Sequence, residues 1–386
     1  MSARKAPPFD VDAVLDTASI LVCTGAGGVG KTTTAAALAL RAAERGRRTV
    51  VLTIDPAKRL AQSMGLSELD NTPRRVEGAD RSNGGSLDAM MLDMKRTFDE
   101  IVVIHAEPGK AEAIFANPFY QALSTSFAGT QEYMAMEKLG QLQATGDYDL
   151  VVVDTPPTRS ALDFLDAPER MTTFLDGRMI RILLAPAKAG GKVYLRAVTA
   201  GFSVFTNVLT KIIGAGVLQD VSQFVGALET MFGGFRERAQ ATYDLLKAPG
   251  TAFVVVAAPE RDALREAAYF VERLAEESMP LAGLVVNRVH RSAGDLTAER
   301  ARVAAQALDE SGGHELASAV LRLHADRAAL STRERRLQER FSGAHPGVPV
   351  VEVAALPGDV HDLEGLRAVG ADMAGGQAAA VPAVPA

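Results

Sequence analysis

A glycine-rich loop between a short apolar run and an alanine-rich run constrains the fold of this chain most. Ser19–Cys23 is predicted as a strand, residues 25–32 read Gly-Ala-Gly-Gly-Val-Gly-Lys-Thr, and Lys31–Arg45 is predicted as a helix. Gly-x-x-x-x-Gly-Lys-Thr between a strand and a helix is typical of a phosphate-binding loop. Glycines let the backbone N–H groups point at phosphate oxygens, and the helix N-terminus adds a positive dipole. A plain glycine-rich turn is the alternative.

The loop predicts binding of ATP with Mg²⁺, and its residue types assign the roles. Lys31 would reach the β- and γ-phosphates, and the Thr32 hydroxyl would ligate Mg²⁺. The residues assigned to nucleotide binding are Gly25, Gly27, Gly28, Val29, Gly30, Lys31, Thr32 and Thr33, with Asn287 and Pro357 farther along the chain.

Two aspartates leave predicted strands at their carboxyl ends, where α/β sheets bind ligands. Asp55 follows Thr49–Ile54 and could orient or deprotonate an attacking water; alternatively, it only starts a helix at Pro56. Asp154 closes Leu150–Asp154 and is expected to hold the metal directly or through water; alternatively, it only begins a turn. The catalytic candidates are therefore Asp55 and Lys31, and the metal candidates are Thr32 and Asp154.

The candidates for base recognition come from two later loops. The predicted strand Leu281–Asn287 continues as Arg-Val-His, so it lacks the Asn-Lys-x-Asp that a guanine-specific GTPase would carry. Asn287 can offer its amide to adenine, which favours ATP over GTP. Pro357, in the sequence Leu-Pro-Gly-Asp, could wrap the base or belong to a plain turn. Arg159 could bind phosphate or a carboxylate, or it could be a solvated surface residue.

Strand and helix candidates alternate along the chain, which predicts an α/β fold with a mostly parallel sheet and helices on both faces. Several strands are continuous apolar runs, as expected for strands buried on both sides. The further predicted elements are the strands Leu87–Leu92, Ala252–Ala257 and Val348–Val353 and the helices Arg261–Glu277 and Ala298–Leu308. We predict one P-loop domain over residues 1–374, with helical insertions at about 93–145 and 161–247 and a disordered tail at 375–386.

Composition excludes several classes of protein. The net charge of -6 argues against a general nucleic-acid binder. The single cysteine, Cys23, excludes an intrachain disulfide framework, and its apolar surroundings predict a small buried thiol. The N-terminal residues lack the apolar segment of a secretory signal, so a cytoplasmic location is expected.

Together these motifs resemble the ArsA family of SIMIBI-class P-loop ATPases, which includes arsenite-pump ATPases and ATPases that target tail-anchored proteins. The resemblance spans about residues 19–366. It rests on Gly27–Thr33, Asp55-Pro56-Ala57 as switch I, Asp154–Thr158 as switch II, Gly129-x-x-Glu132-x-x-x-Met136, Leu162-x-Phe164-Leu165 and Asn287. It implies ATP hydrolysis with Asp55 positioning the water, and a dimer that closes over nucleotide.

Three departures from the family pattern modify these expectations. The signature lysine after the first glycine of the loop is replaced by Ala26. Three alternatives follow from the loss of this lysine: the protein hydrolyses ATP slowly, Arg159 replaces the lysine, or a paralogous subunit that carries the lysine completes the site. We favour the third alternative, a heterodimer. The Cys-x-x-Cys of zinc-bridged dimers and the cysteine cluster that binds metalloids are both missing, because Cys23 is the only cysteine.

The second insertion carries apolar residues at helical spacing over about 198–232. They could pack within the protein, or they could form a groove for a hydrophobic client or a membrane-associated partner. Two other functions remain open: a ParA/MinD-like positioning ATPase and a P-loop small-molecule kinase. The segment Leu363–Met373 is too weakly basic to serve as the membrane-binding helix of a positioning ATPase.

Overall fold

The computed structural model describes residues 7–54, 59–105, 109, 111–117, 120–121, 124, 130–156, 237–238, 240–292 and 294–375. The predicted groove at 198–232, Arg159 and the last eleven residues of the tail lie outside this part of the chain.

An eight-stranded sheet forms the centre of the fold, in the order β3-β4-β2-β5-β1-β6-β7-β8. All neighbouring pairs are parallel except β3 and β4. The strands are β1 Ile20–Gly25, β2 Arg48–Thr53, β3 Arg74–Arg75, β4 Ser86–Met91, β5 Leu150–Asp154, β6 Thr251–Ala257, β7 Leu281–Val289 and β8 Val350–Ala354. The predicted α/β class with a mostly parallel sheet is confirmed.

Seven of these strands were predicted, with bounds that differ by at most two residues from those observed. The strands β1, β5 and β6 are buried along their whole length, which explains why they read as continuous apolar runs. The prediction missed β3, which has only two residues, both arginines. Arg75 lies opposite Asp88 of β4, and their side chains form an ion pair of 2.8 Å.

The helices with defined bounds are Val11–Thr17, Lys31–Glu44, Arg59–Ser63, Met94–His105, Ala111–Ala116, Thr130–Thr145, Arg261–Glu276, Ala298–Ser311, Glu315–Ala344 and Leu363–Met373. The helix Glu315–Ala344 is absent from the predicted elements. Its apolar residues are divided between two faces, so its sequence does not show a single amphipathic stripe. No helix in the described part of the chain is long and apolar enough to cross a membrane.

The chain divides into two compact units. One comprises Met1–Met91, Thr145–Ala161 and Leu246–Ala386, and it contains the whole sheet. The other comprises Leu92–Ala144 and Leu162–Leu245, which nearly coincides with the two predicted insertions. In this second unit, Lys138 donates to Glu100 at 3.0 Å. The interpretation of residues 1–374 as one domain stays a prediction.

Candidate functional site at the carboxyl end of the central strand

The glycine-rich loop begins where β1 ends, at the centre of the sheet. The neighbours of β1 are β5 and β6, so the loop lies at the point where the order of strands reverses. Open α/β sheets bind ligands there, beyond the carboxyl ends of the strands. Gly25 has φ +150°, and a Cβ atom at this position would lie 2.0 Å from the carbonyl oxygen of Val256. Only glycine lets the loop leave β1 so close to β6.

The backbone of the loop presents unpaired donors. The helix begins at Lys31, directly after the loop, and the N–H groups of its first turn have no acceptor within the helix. The N–H groups of Gly27, Gly28, Val29 and Gly30 donate to no backbone carbonyl of a described residue. Gly27 and Gly28 are exposed, so a ligand has access to this part of the loop. A set of free N–H donors at a helix N-terminus fits a bound phosphate.

Lys31 lies folded against the loop. Its side chain is buried, and Nζ donates to the carbonyl oxygen of Ala26 at 2.8 Å. This contact holds a positive charge at the mouth of the loop. The neighbouring hydroxyl side chains Thr32 and Thr33 lie in the first turn of the helix and are half-buried. These are positions from which an ammonium and a hydroxyl can reach phosphate and metal.

Asp154 ends β5 beside the loop. It is fully buried and lies opposite Cys23 in the β1–β5 register. The Thr53 hydroxyl at the end of β2 donates to Asp154 Oδ2 at 2.9 Å, and the Ile54 N–H donates to the Asp154 carbonyl at 3.1 Å. The neighbouring strand therefore fixes both the side chain and the backbone of Asp154. A buried, oriented carboxylate next to a phosphate loop suits a metal ligand or a ligand of metal-bound water.

The pKa of the Cys23 thiol depends on charged residues around the start of the loop. It is fully buried, which confirms the predicted buried thiol. Burial raises the pKa of the Cys23 thiol, the negative charge of Asp154 raises it further, and the positive charge of Lys31 lowers it. Lys31 and Asp154 thus both affect the pKa of this buried thiol, with opposite sign, although they lie on different elements of the chain.

Asn287 lies in β7, two residues before the end of the strand, and contacts the loop. Its side chain is buried, and Nδ2 donates to the carbonyl oxygen of Val29 at 2.9 Å. The missing side chain of Gly30 permits this approach, since a Cβ atom there would lie 2.2 Å from Asn287 Nδ2. The next residue, Arg288, has φ +63°, and its N–H donates to Asn287 Oδ1 at 3.0 Å. The predicted contact of Asn287 with adenine stays a prediction, whereas its bond to the loop is present.

The remaining predicted site residues are Pro357 and the residues of the two switch segments. Pro357 is exposed in the loop after β8. Asp55, Pro56 and Ala57, and the switch II residues from Pro157 onward, lie outside the described residues. The described part of switch II is buried, and the Thr155 hydroxyl donates to the Cys23 carbonyl at 2.9 Å.

The structure adds two positioning contacts that the sequence analysis missed. Thr53 orients Asp154, and Asn287 holds the loop at Val29. A sequence signal existed for Thr53, because it ends the strand that precedes Asp55. Only the strand order identifies Asp154 as its neighbour, since β2 and β5 pair across a long stretch of chain. Among the described residues, no group of three or more His, Cys, Asp or Glu side chains could hold a metal ion.

The fold and the loop define the class: an α/β protein with a phosphate-binding loop at the centre of a parallel sheet. The sequence model of the anion-transporting ATPase family matches residues 18–307, which is most of the chain. The protein therefore belongs to this family, and the predicted ArsA-type class is confirmed.

Relatives with known names agree with this assignment. ATPase ARSA2 of Chlamydomonas reinhardtii is 29% identical over 269 residues, covering 69% of this chain and 66% of that protein. ATPase GET3 of Podospora anserina is 27% identical over 286 residues, covering 72% and 76%. ATPase GET3 of Malassezia globosa is 32% identical over 165 residues, covering 42% and 47%, so the match spans about half of that relative.

Proposed function

We propose that this protein binds and hydrolyses ATP with Mg²⁺. The observation that carries the proposal is the loop at the end of β1, where free backbone N–H groups, the buried ammonium of Lys31 and the buried carboxylate of Asp154 converge. Membership in an ATPase family supports the same reaction.

The residues present fit both groups. Free N–H donors and an ammonium match the charge of a triphosphate, and a hydroxyl with a carboxylate matches the preference of Mg²⁺ for oxygen ligands. Lys31 would neutralise charge that develops on the phosphates, and Thr32 with Asp154 would hold the metal, which supplies further charge neutralisation. Thr33 and the glycines of the loop would complete the phosphate contacts. Asp55 would orient the attacking water, and Asn287 and Pro357 would flank the base.

The first test is substitution of Lys31. The Lys31→Ala variant should release inorganic phosphate from ATP at least about a hundredfold more slowly, because it lacks a preorganised charge at the reacting phosphate. Lys247→Ala is the matched control, since Lys247 forms a half-exposed ion pair with Glu277 at 3.7 Å. Equal rates for both variants would refute the assigned role of Lys31. Transfer of phosphate to a metabolite, with none released, would instead indicate a kinase.

Asp55→Asn separates binding from hydrolysis. If Asp55 positions the water, this variant should bind Mg²⁺–ATP with unchanged affinity in calorimetry but lose at least about a hundredfold in hydrolysis. Loss of binding would assign Asp55 a different role. The variant also offers a means to capture associated proteins in the nucleotide-bound state.

We further propose that the site is completed by a paralogous subunit that carries the lysine missing at Ala26. A charged residue supplied in trans to a phosphoryl-transfer site can change its rate by about 10³–10⁵-fold when that residue is arginine. Mixing the two chains should therefore raise ATP hydrolysis well above the sum of the separate rates. Activity that is only additive would favour a homodimer, or Arg159 as the replacement.

Dimer closure would change the helical surface of the second insertion, where a hydrophobic client or a membrane-associated partner would bind. Deletion of residues 181–246 should abolish capture of the client while Mg²⁺–ATP binding remains. Unchanged capture would exclude this surface.

A further inference from the structure

The helices Ala298–Ser311 and Glu315–Ala344 pack side by side as a hairpin. Over the stretch where the two helices face each other, the buried residues are small: Ala301 and Ala305 on the first helix, and Ser318 and Ala325 on the second. The larger buried side chains of the second helix, Glu334, Gln338 and Phe341, lie nearer its C-terminal end. The Ser318 hydroxyl donates to the Ala305 carbonyl at 3.2 Å, so the two backbones approach closely. The inner face of the hairpin therefore leaves no space for large apolar side chains.

The large apolar side chains of the second helix point the other way. Leu316, Val320, Leu323 and Leu330 are 79%, 57%, 63% and 37% exposed. At 3.6 residues per turn they form one stripe, on the side of the helix opposite Ser318. Isolated exposed apolar residues are common, but an aligned set of this kind marks an interaction surface. We call these four residues the outer stripe.

The spacing of the outer stripe is that of a helix–helix seam. Leu316, Leu323 and Leu330 recur every seven residues, and Val320 precedes Leu323 by three. Leucine at one core position and a β-branched residue at the other is the pattern of paired helices in coiled coils. The next core position in this repeat is Arg327, which is exposed.

Charge favours one arrangement of two such helices. None of the described residues pairs with Arg327 or with Glu315, and both are exposed. In a parallel pair the two Arg327 side chains would meet in the same layer and repel each other. In an antiparallel pair the Arg327 of each copy faces the tip of the other hairpin, where Glu310 and Glu315 lie.

We propose that the outer stripe is the docking surface for a second copy of this chain, and that the two long helices pair antiparallel. The stripe is self-complementary under a two-fold axis, because an apolar seam meets its own copy and each Arg327 meets the acidic tip of its partner. This interface is separate from the phosphate loop and does not depend on ATP binding or hydrolysis.

Sedimentation equilibrium of the full chain without nucleotide tests the proposal. Wild-type protein should associate into dimers between micromolar and submillimolar concentration. The triple variant Leu316→Gln, Val320→Gln, Leu323→Gln should raise the dissociation constant at least about a hundredfold, since it replaces three apolar side chains that the dimer interface would bury. Glutamine preserves helix propensity. Tyr269→Gln is the control, because Tyr269 is 57% exposed on another helix.

Charge reversal tests the orientation. Arg327→Glu and Glu315→Arg should each weaken the dimer by about twofold to fivefold, as expected for exposed pairs. The double variant should regain wild-type association, because the reversed charges again face each other in the antiparallel pair. The two positions are about 18 Å apart along one helix, so they cannot compensate each other within one copy. No recovery in the double variant would overturn the antiparallel arrangement.

Two results would overturn the docking surface itself. The first is a wild-type protein that stays monomeric over this concentration range. The second is a triple variant that dimerises like wild type while its melting temperature and Mg²⁺–ATP affinity are unchanged. If the wild type is monomeric, binding to vesicles of anionic phospholipid that the triple variant loses would identify a membrane as the occupant of the outer stripe instead.

Discussion

The carboxyl end of β1 and the hairpin of residues 298–344 distribute polar and apolar groups in opposite ways. Around the loop, the apolar side chains of the strands are buried, the charged side chains of Lys31 and Asp154 are buried beside them, and the backbone of Gly27 and Gly28 is exposed. In the hairpin, small residues fill the interior and leucines face outward. The first arrangement suits a small charged ligand, and the second suits another protein. Substitutions should therefore lower stability near the loop and leave it unchanged on the outer stripe.

The largest effect is expected for Gly25→Ala. Its Cβ would lie 2.0 Å from the Val256 carbonyl, so the backbone of β1 or β6 must move. Together with the positive φ, this should lower the free energy of unfolding by about 3 kcal/mol or more, measured by urea denaturation. Gly343→Ala is the control, since that helical glycine has open space around it and the change should stabilise by up to about 1 kcal/mol. Equal effects would contradict the close approach.

A smaller effect is expected for Thr53→Val, which removes the hydroxyl bonded to Asp154 and conserves volume. The free energy of unfolding should fall by about 1.5–3 kcal/mol, because the bond is to a buried carboxylate. The Mg²⁺ dependence of ATP binding should also weaken. Thr49→Val on the same strand loses only a 3.4 Å contact and should cost less than about 1 kcal/mol. Unchanged Mg²⁺ dependence would mean that Thr53 does not position a metal ligand.

Asn287→Ala should destabilise by about 1–3 kcal/mol, because it leaves the buried Val29 carbonyl without its donor. Loss of this bond should also loosen the loop and lower ATP affinity in calorimetry. Asn83→Ala breaks a bond of the same type at an exposed position, to the Glu44 carbonyl at 2.8 Å, and should have a smaller effect. If the two variants behave alike, the contact with the loop is not structural.

The smallest change in stability is expected on the outer stripe. Leu316→Gln should alter the melting temperature of the monomer by no more than the equivalent of about 0.5 kcal/mol, since 79% of this side chain is exposed. A large loss of stability in dilute protein would show that Leu316 packs within its own chain, which would remove the contrast between the two regions.

Local patterns were sufficient to predict most of the sheet. The continuous apolar runs of β1, β5 and β6 predict strands covered on both faces, and the structure confirms them. Prediction failed for β3, which has only two residues, both arginines; Arg75 pairs with Asp88 of the neighbouring strand, and Arg74 pairs with Asp70. It also missed the helix Glu315–Ala344, because periodicity describes one face of a helix and this one has two apolar faces.

The sequence alone determined the loop, its likeness to a family of ATPases and the strands that flank it, because these depend on residues close together in the chain. Tertiary structure decided which groups meet at the loop. Thr53 and Asp154 are 101 residues apart, and Asn287 and Val29 are 258 apart, so only the strand order brings them within hydrogen-bonding distance. It also decided which side of the long helix faces solvent, because packing against the neighbouring helix selects the face with small residues.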